Sequence, residues 1–460
     1  MVNRRKFIQN LGALGIGAAG LGAFADMQRI AAAAGLNTAP LAAGEDYRAL
    51  VILFLFGGND ANNMVIPTTA AEYAAYAAGR TSVLALPTTQ ILPITVQNTP
   101  GRTFGLHPAM TGLQGLFNQG KAAILPNVGP LLAPITKAEL RARSVPIPVD
   151  LYSHSDQQAQ WQSSISDGSP RTGWGGRLGD LLSSSNGTNR SSTCISVTGN
   201  NLFQVGTTLT SFKVSPGNQF GFDFYDGAST TDPLSKGITS MLALANANMF
   251  ETAWKDVIAR AIENQRVLAT ALAAAPPFTT VFPNDGLGRQ FQMIARLLSV
   301  RQALGLKRQV FFASIGGFDT HGDEQIGRQN DLLGDVSASL TAFYNATVEL
   351  NVAEQVTSFT ASDFNRTFRS NGKGSDHAWG SHHWIVGGAV NGGKMYGQFP
   401  TIGTDGPDDT GGGAFIPTTS VDQYSATLAK WFGVGAGDMP TIFSNIGRFP
   451  TNDLGFMKTV

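Results

Sequence analysis

The stretch "RALVILFLFGGND", residues 48 to 60, constrains the fold more than any other part of the chain. Its apolar run is unbroken from Ala49 to Phe56 and stops at Gly57, Gly58, Asn59 and Asp60. A strand with one wet face alternates apolar and polar residues. A run without alternation is buried on both faces, as strands are in a parallel sheet. Parallel strands need long return connections, and the rest of the sequence supplies them. Helical patterns occupy about 70–79 and 108–118, followed by a strand at "AAILPNV", a helix at "GWGGRLGDLLSS" and a strand at "STCISVTG". A strand and loop at "RQVFFASIGGFDTHG", a helix over 324–350 and a strand at "QVTSFTASDF" continue the alternation. This order predicts an α/β fold with a mostly parallel sheet covered by helices on both faces. Two helical stretches, about 235–275 and 285–305, interrupt it. In the first, Trp254, Val257, Ile258, Ala261, Ile262 and Leu268 recur at helical spacing, so about 235–305 reads as an inserted helical cap.

With 42% hydrophobic residues, a chain of 460 can bury a full core. Lys plus Arg and Asp plus Glu balance at 32 each, which gives no cationic surface for nucleic acid and leaves a small molecule as the expected partner. A single cysteine, Cys194, excludes an internal disulfide and reads as a buried small hydrophobe. At the N-terminus, Arg4 and Arg5 precede Phe7, Ile8 and the short glycine-diluted run "LGALGIGAAGLGAFA". That is the layout of a twin-arginine signal peptide over 1–34, too short and too weakly apolar for a transmembrane anchor. It predicts a periplasmic or secreted protein exported in the folded state, with residues 35–460 as one domain.

Three predicted strands end in loops that carry an aspartate: Asp60 in "FGGNDANN", Asp319 in "GGFDTHGDEQ" and Asp363 in "TASDFNRT". Parallel strands end on one edge, so these carboxylates can meet in space. His321 lies two residues beyond Asp319, and Asp376 with His377 lie in the loop "GSDHAWGSHHW". Carboxylate and imidazole together suit zinc or manganese better than calcium or magnesium. Of the neighbouring His382 and His383, strand alternation lets only one face inward. In "LYSHSDQQAQWQ", Ser153, His154 and Ser155 stand at a helix mouth, where a hydroxyl can be an activated nucleophile or a plain N-cap, and His154 a ligand or general acid. Arg366 can fork onto an oxyanion or form a surface ion pair. His107, before a helix opened by Pro108, reads as structural, and "GTDGPDDTGGGAF" as a solvated turn without the oxygen spacing of a calcium loop.

The blocks "GGND", "HPAM", "SHSDQQ", "GGFDTH", "SDFNRT" with "GSDHAWG", and "IPTTSVDQYSATLAKWFGV" together resemble the domain-of-unknown-function 1501 family. That family of twin-arginine exported proteins is grouped with the alkaline phosphatase and sulfatase superfamily. The resemblance implies an alkaline phosphatase-like fold, a centre for one or two divalent metal ions, and a co-exported protein partner. By position it implies Asp60 as first metal aspartate, Ser153 or Ser155 as nucleophile, Asp319 with His321 as a middle pair, and Asp363 and His377 as late ligands. Phe364 stands where the superfamily pattern places a histidine, which puts a second metal position in doubt.

Three functions follow as expectations. The first is an exported metal-dependent hydrolase or transferase of phosphate or sulfate esters, with metal neutralising the oxyanion while a serine attacks. The second is an inactive secreted scaffold of the same fold. The third, a serine ester hydrolase marked by "GND" and a late "DxxH", fits poorly, because no Gly-Asp-Ser block precedes "GGND" and "FDTH" misses the spacing by one residue.

Overall fold

A computed structural model of the chain describes residues 46–187, 192–217, 225, 229, 231–244 and 248–458. The expected signal peptide lies outside the described residues. The apolar run of 48–56 forms strand β1, Arg48–Phe56, near the middle of an eight-stranded sheet. The other strands that place the site are β5 (Ala122–Gly129), β6 (Cys194–Ser196), β7 (Phe212–Lys213), β8 (Arg308–Gly316), β9 (Val356–Ser362), β10 (Ser381–Gly387) and β11 (Thr419–Ser420). Their order is β11-β5-β10-β9-β1-β8-β6-β7. Every pairing is parallel except the two made by β10.

The period of two along β1 builds both cores. Ala49, Val51, Leu53 and Leu55 join a cluster with helices Gly286–Ser299 and Gln325–Glu349, whereas Leu50, Ile52 and Phe54 join one with helices Trp174–Leu182 and Val421–Phe432. Both faces are covered, as the missing alternation in β1 predicts. A small antiparallel sheet of β2 (Val65–Pro67), β3 (Leu92–Ile94) and β4 (Phe104–Leu106) lies to one side, in a Pro- and Thr-rich region with no clear strand pattern.

The helix expected over 70–79 runs from Ala70 to Leu84, with non-helical backbone at Thr81, and the one expected from Pro108 begins at Thr111. The helical stretch of 235–305 divides by burial. Gly286–Ser299 is a layer helix, with Leu287, Phe291, Ile294 and Leu298 in the core. Pro233–Ala243 and the start of Met249–Ala273 stand outside it, leaving Met249 and Phe250 exposed. No described helix is long and apolar enough to cross a membrane.

The reversed β10 matters for the site. Because β10 runs against β9, the connection 363–380 starts and ends on the same sheet edge, the one where β1, β5 and β8 also end. The connection pairs with itself through a bridge between Arg366 and His377. His382 and His383 lie on β10, and both are buried, so the expectation that one of them faces inward while its neighbour does not is corrected. β10 is an interior strand covered on both faces, so alternation sends the two rings into opposite cores. His382 packs on Phe399, and His383 on Trp161 and Tyr424.

Candidate metal centre

Four loops on the β-strand C-terminal edge deliver the site. The turn after β8 carries Asp319 and His321, and the connection after β9 carries Asp363, Phe364, Arg366, Asp376 and His377. The long connection after β5 ends in the helix His154–Ser163, whose first residue is His154. The turn after β1 contributes backbone. Gly57 and Gly58 have φ values of 112° and 82°, and a Cβ on Gly57 would lie 2.4 Å from the Asp319 amide nitrogen. A Cβ on Gly58 would lie 2.5 Å from the Phe364 ring. Only glycine combines that backbone with such close approach. Gly58→Ala is expected to cost about 1–3 kcal/mol of stability and to displace Phe364, which isothermal denaturation together with a metal titration would detect.

Each of three histidines has its Nδ1 atom occupied by an acceptor. His154 Nδ1 lies 2.6 Å from Asp363 Oδ2, His321 Nδ1 3.2 Å from Asp376 Oδ1, and His377 Nδ1 2.7 Å from the Tyr152 carbonyl. A carbonyl and ionised carboxylates can only accept, so in the neutral rings the proton sits on Nδ1 and the lone pair on Nε2. Arg366 confirms this for His321, since its Nη1, which can only donate, is 3.0 Å from His321 Nε2. The Nε2 atoms converge on one carboxylate oxygen. Asp319 Oδ1 lies 3.0 Å from His321, 3.5 Å from His154 and 3.8 Å from His377, and the Nε2 atoms of His321 and His377 are 3.0 Å apart. Ligand atoms of His154, Asp319 and His377 all fall within 4.8 Å of one another.

At 3.0 Å the Nε2 atoms of His321 and His377 need either a shared proton or a metal ion between them. The buried His154 Nε2 has no hydrogen-bond partner. In tetrahedral zinc sites with bonds of 2.0–2.2 Å, neighbouring ligand atoms are roughly 3.3 Å apart, inside the range spanned here. The residues present therefore fit one divalent ion.

Burial pushes the Asp319 carboxyl up, but the Arg366 hydrogen bond and charge, with His154 and His321, outweigh it and hold the group below its ordinary value. Asn371 and His321 lower Asp376 against burial. Burial lowers His377, opposed by its bond to Tyr152 and reinforced by Arg366, His154 and His321. Burial raises Asp363, although Oδ2 collects Gln158 at 2.8 Å, His154 and the Gly57 amide at 3.2 Å. The Phe364 ring packs 4.7 Å from His154 and 4.5 Å from His377, walling one side. Asp319 is 51% exposed and His321 44%, so the other side is open to solvent.

Asp319, His321, His377 and His154 are thus brought together. Asp363 and Asp376 arrive too, but each directs its carboxylate to a histidine nitrogen. Asp60 does not arrive. It is buried, ion-paired with Arg80, bonded to Gln325 Nε2 at 2.6 Å, and caps the turn Ala61–Met64 through the Asn62 amide. The expectation that Asp60 is a metal ligand is corrected, because its carboxylate is already neutralised elsewhere.

Arg366 is corrected as an oxyanion fork: its guanidinium is buried and binds Gly57, Gly58, Phe318 and Ser375 carbonyls besides Asp319 and His321. It ties three loops together. Ser153 and Ser155 stand at the mouth with their hydroxyls bonded to each other and to Asp156. His107 is buried, its Nδ1 accepting from the Ala109 amide, as the structural reading expects. In the 403–415 loop, Asp409 accepts from the amides of Asp405, Gly411 and Gly413, which is a turn rather than a calcium site. Gln158 and the Tyr152 carbonyl were not legible as site groups. Gln158 could have been found from its place four residues after His154 on one helix face, whereas a carbonyl carries no sequence signal.

A family described as "Protein of unknown function (DUF1501)" matches residues 47–410. No curated protein matches the chain by sequence. Among solved structures, the lipoteichoic acid synthase LtaP from Listeria monocytogenes is similar over 90% of this chain and 79% of its own, at 8% identity and a TM-score of 0.32. The PsFucS1 sulfatase from Pseudoalteromonas sp. is similar over 95% and 73%, at 10% identity and a TM-score of 0.31. A 2-O GAG sulfatase is similar over 87% and 75%, at 11% identity and a TM-score of 0.32. At these scores the strand order, rather than the neighbours, establishes the architecture.

Proposed function

The chain belongs to the DUF1501 family, and from its own geometry we propose that it is an exported, metal-dependent hydrolase or transferase acting on phosphate or sulfate esters. The observation that carries this reading is the convergence of three Nε2 lone pairs on Asp319 Oδ1. His154, Asp319 and His377, with His321 beside them, would hold one ion, and the imidazole-rich set suits zinc, with manganese next. Bound there, the ion would supply Lewis-acid polarisation of the ester and neutralise charge as it develops. Arg366 keeps Asp319 ionised, Asp363 and Asp376 orient His154 and His321, and Phe364 keeps water from one flank. Ser153 Oγ already donates to the Asp156 carboxylate, so its proton has an acceptor in place for attack. Twin-arginine export fits a site loaded before crossing, and a co-exported protein partner belongs to the same proposal.

The test is metal content by mass spectrometry on protein exported with its own signal, with hydrolysis of chromogenic phosphate and sulfate esters. One ion per chain is expected, lost in His154→Ala and His377→Ala. Asp363→Asn should weaken metal affinity about 10- to 100-fold while leaving the ligands themselves in place. The inactive scaffold is the second reading. It draws on Asp60, which Arg80 sequesters, and on Arg366, whose donors are all engaged with protein groups. Metal-free protein without turnover would establish it and end the first reading.

A further inference from the structure

We infer that Gln157 is a positioning residue for His377: by holding the Tyr152 amide it fixes a left-handed turn whose carbonyl keeps the His377 proton on Nδ1. The statement about the turn and the ring stands without a metal ion; its consequence for metal affinity rests on the proposed metal-dependent reading. Tyr152 has a φ of 72°, a conformation that a bulky aromatic residue rarely adopts, and Asp150, two residues earlier, has a φ of 47°. Such a turn persists only where its surroundings hold it. Three contacts hold this one. Gln157 Oε1 accepts from the Tyr152 amide at 2.6 Å, Gln160 Nε2 donates to the Val149 carbonyl at 2.7 Å, and the Tyr152 side chain packs on the cluster of Leu131, Trp379, Ile416 and Phe449. Both glutamines lie on the helix His154–Ser163 and are buried, at 0% and 1% exposure.

A backbone amide only donates, so the Gln157 atom that faces it is the oxygen, and Gln157 Nε2 meets no partner among the described residues. A buried polar side chain is costly unless it is bonded, and the bond to Tyr152 is the one this side chain makes there. Tyr152 in turn offers its carbonyl to His377 Nδ1 at 2.7 Å. Two influences pull the other way. A free neutral imidazole side chain favours the proton on Nε2, and the Asp319 carboxylate, 3.8 Å from His377 Nε2, favours a proton there as well. The carbonyl opposes both, because it can only accept, and so leaves the Nε2 lone pair turned towards Asp319. Released from Gln157, residue 152 relaxes out of the left-handed region and turns its carbonyl away, and the proton then moves to Nε2, where it blocks the ligand atom. Gln158, next on the helix, acts in the same manner on Asp363 and through it on His154, so two adjacent glutamines fix two imidazoles separately.

The test is nitrogen-15 NMR of the full chain labelled at histidine and freed of metal at pH 8, with His377 assigned from His377→Ala, followed by zinc titration of the same samples. The unaltered protein is expected to carry the His377 proton on Nδ1. Gln157→Met should move it to Nε2 and weaken zinc binding at least tenfold. Gln157→Glu, which keeps an acceptor for the Tyr152 amide, should restore both. Gln204→Met is the control for stability alone: Gln204 is equally buried but bonds the Ile195 and Val310 carbonyls, and its loss should change neither readout. If Gln157→Met does not fold, Gln157→Asn, one methylene too short to reach the amide, takes its place. A proton on Nε2 in the unaltered protein, a proton that stays on Nδ1 in Gln157→Met, an equal change in Gln204→Met, or a Gln157→Glu protein that behaves like Gln157→Met would overturn the inference, as would unchanged zinc affinity in Gln157→Met. A proton that moves as expected in a protein that binds no zinc, altered or not, would sustain the role of Gln157 and sink the metal-dependent reading alone.

Discussion

Asp60→Ala is expected to destabilise the protein by about 3–5 kcal/mol while leaving its metal content unchanged. Asp60 and Arg80 are an ion pair buried from solvent, at 1% and 0% side-chain exposure. Removing the carboxylate strands a guanidinium whose remaining partners, Asn63 Oδ1 at 3.2 Å and the carbonyls of Thr367 and Phe368 at 3.1 and 3.3 Å, carry no full charge. It also removes the acceptor of Gln325 Nε2. The measurement is the urea midpoint of Asp60→Ala and of the milder Asp60→Asn, with metal analysis of both. A stable Asp60→Asn protein that had lost its metal would return Asp60 to the ligand set.

The second large effect is acid lability. Burial holds His382 and His383 down at about 3, with the His382 charge also lowering His383, and burial holds His107 at about 4. In the unfolded chain each titrates near its ordinary 6.5. Above that value both states are neutral and stability does not depend on these groups. As pH falls from about 6.5 towards 3, the unfolded chain takes up protons that the folded one refuses. Stability is lost across that window, by up to about 5 kcal/mol for each β10 histidine.

Asp422 opposes this loss. Burial raises its carboxyl to about 7, despite hydrogen bonds and Arg177, so its cost to the folded state is relieved as pH falls from about 7 towards 3.8. One raised carboxyl offsets about one of the two histidines, so a net loss remains. The check is the urea midpoint from pH 7.5 to 4, in the unaltered protein and in His382→Leu. The substitution lowers stability at every pH because the Asn127 amide loses its acceptor. A shallower slope below pH 6.5 is the specific expectation, and an unchanged slope would contradict it.

The site was legible wherever chemistry follows from chain order. Asp319 and His321 share one turn, and His377 follows in the connection after the next strand, so chain order alone puts them on one sheet edge. An aspartate after a strand looks alike whether it faces a metal or a buried arginine, so chain order does not separate Asp60 from Asp319. Arg80 lies twenty residues away inside a helix, with nothing in its surroundings to announce the pair. The role of Asp363 turned on one contact, its Oδ2 meeting His154 Nδ1, between residues 209 apart in the chain.

The sequence by itself determined that β1 is buried on both faces, that helices return between parallel strands, and that carboxylates and imidazoles gather where strands end. These properties follow from local periodicity and from polar groups being excluded from a core. Only the tertiary structure decided which groups meet. It reversed β10, so that residues 363–380 stay at the site edge, sent His382 and His383 into two separate cores, and gave each site histidine an acceptor for its Nδ1. Hydrogen-bond partners, and with them tautomer and lone-pair direction, depend on ångström-scale approach between distant segments, which no spacing along the chain encodes.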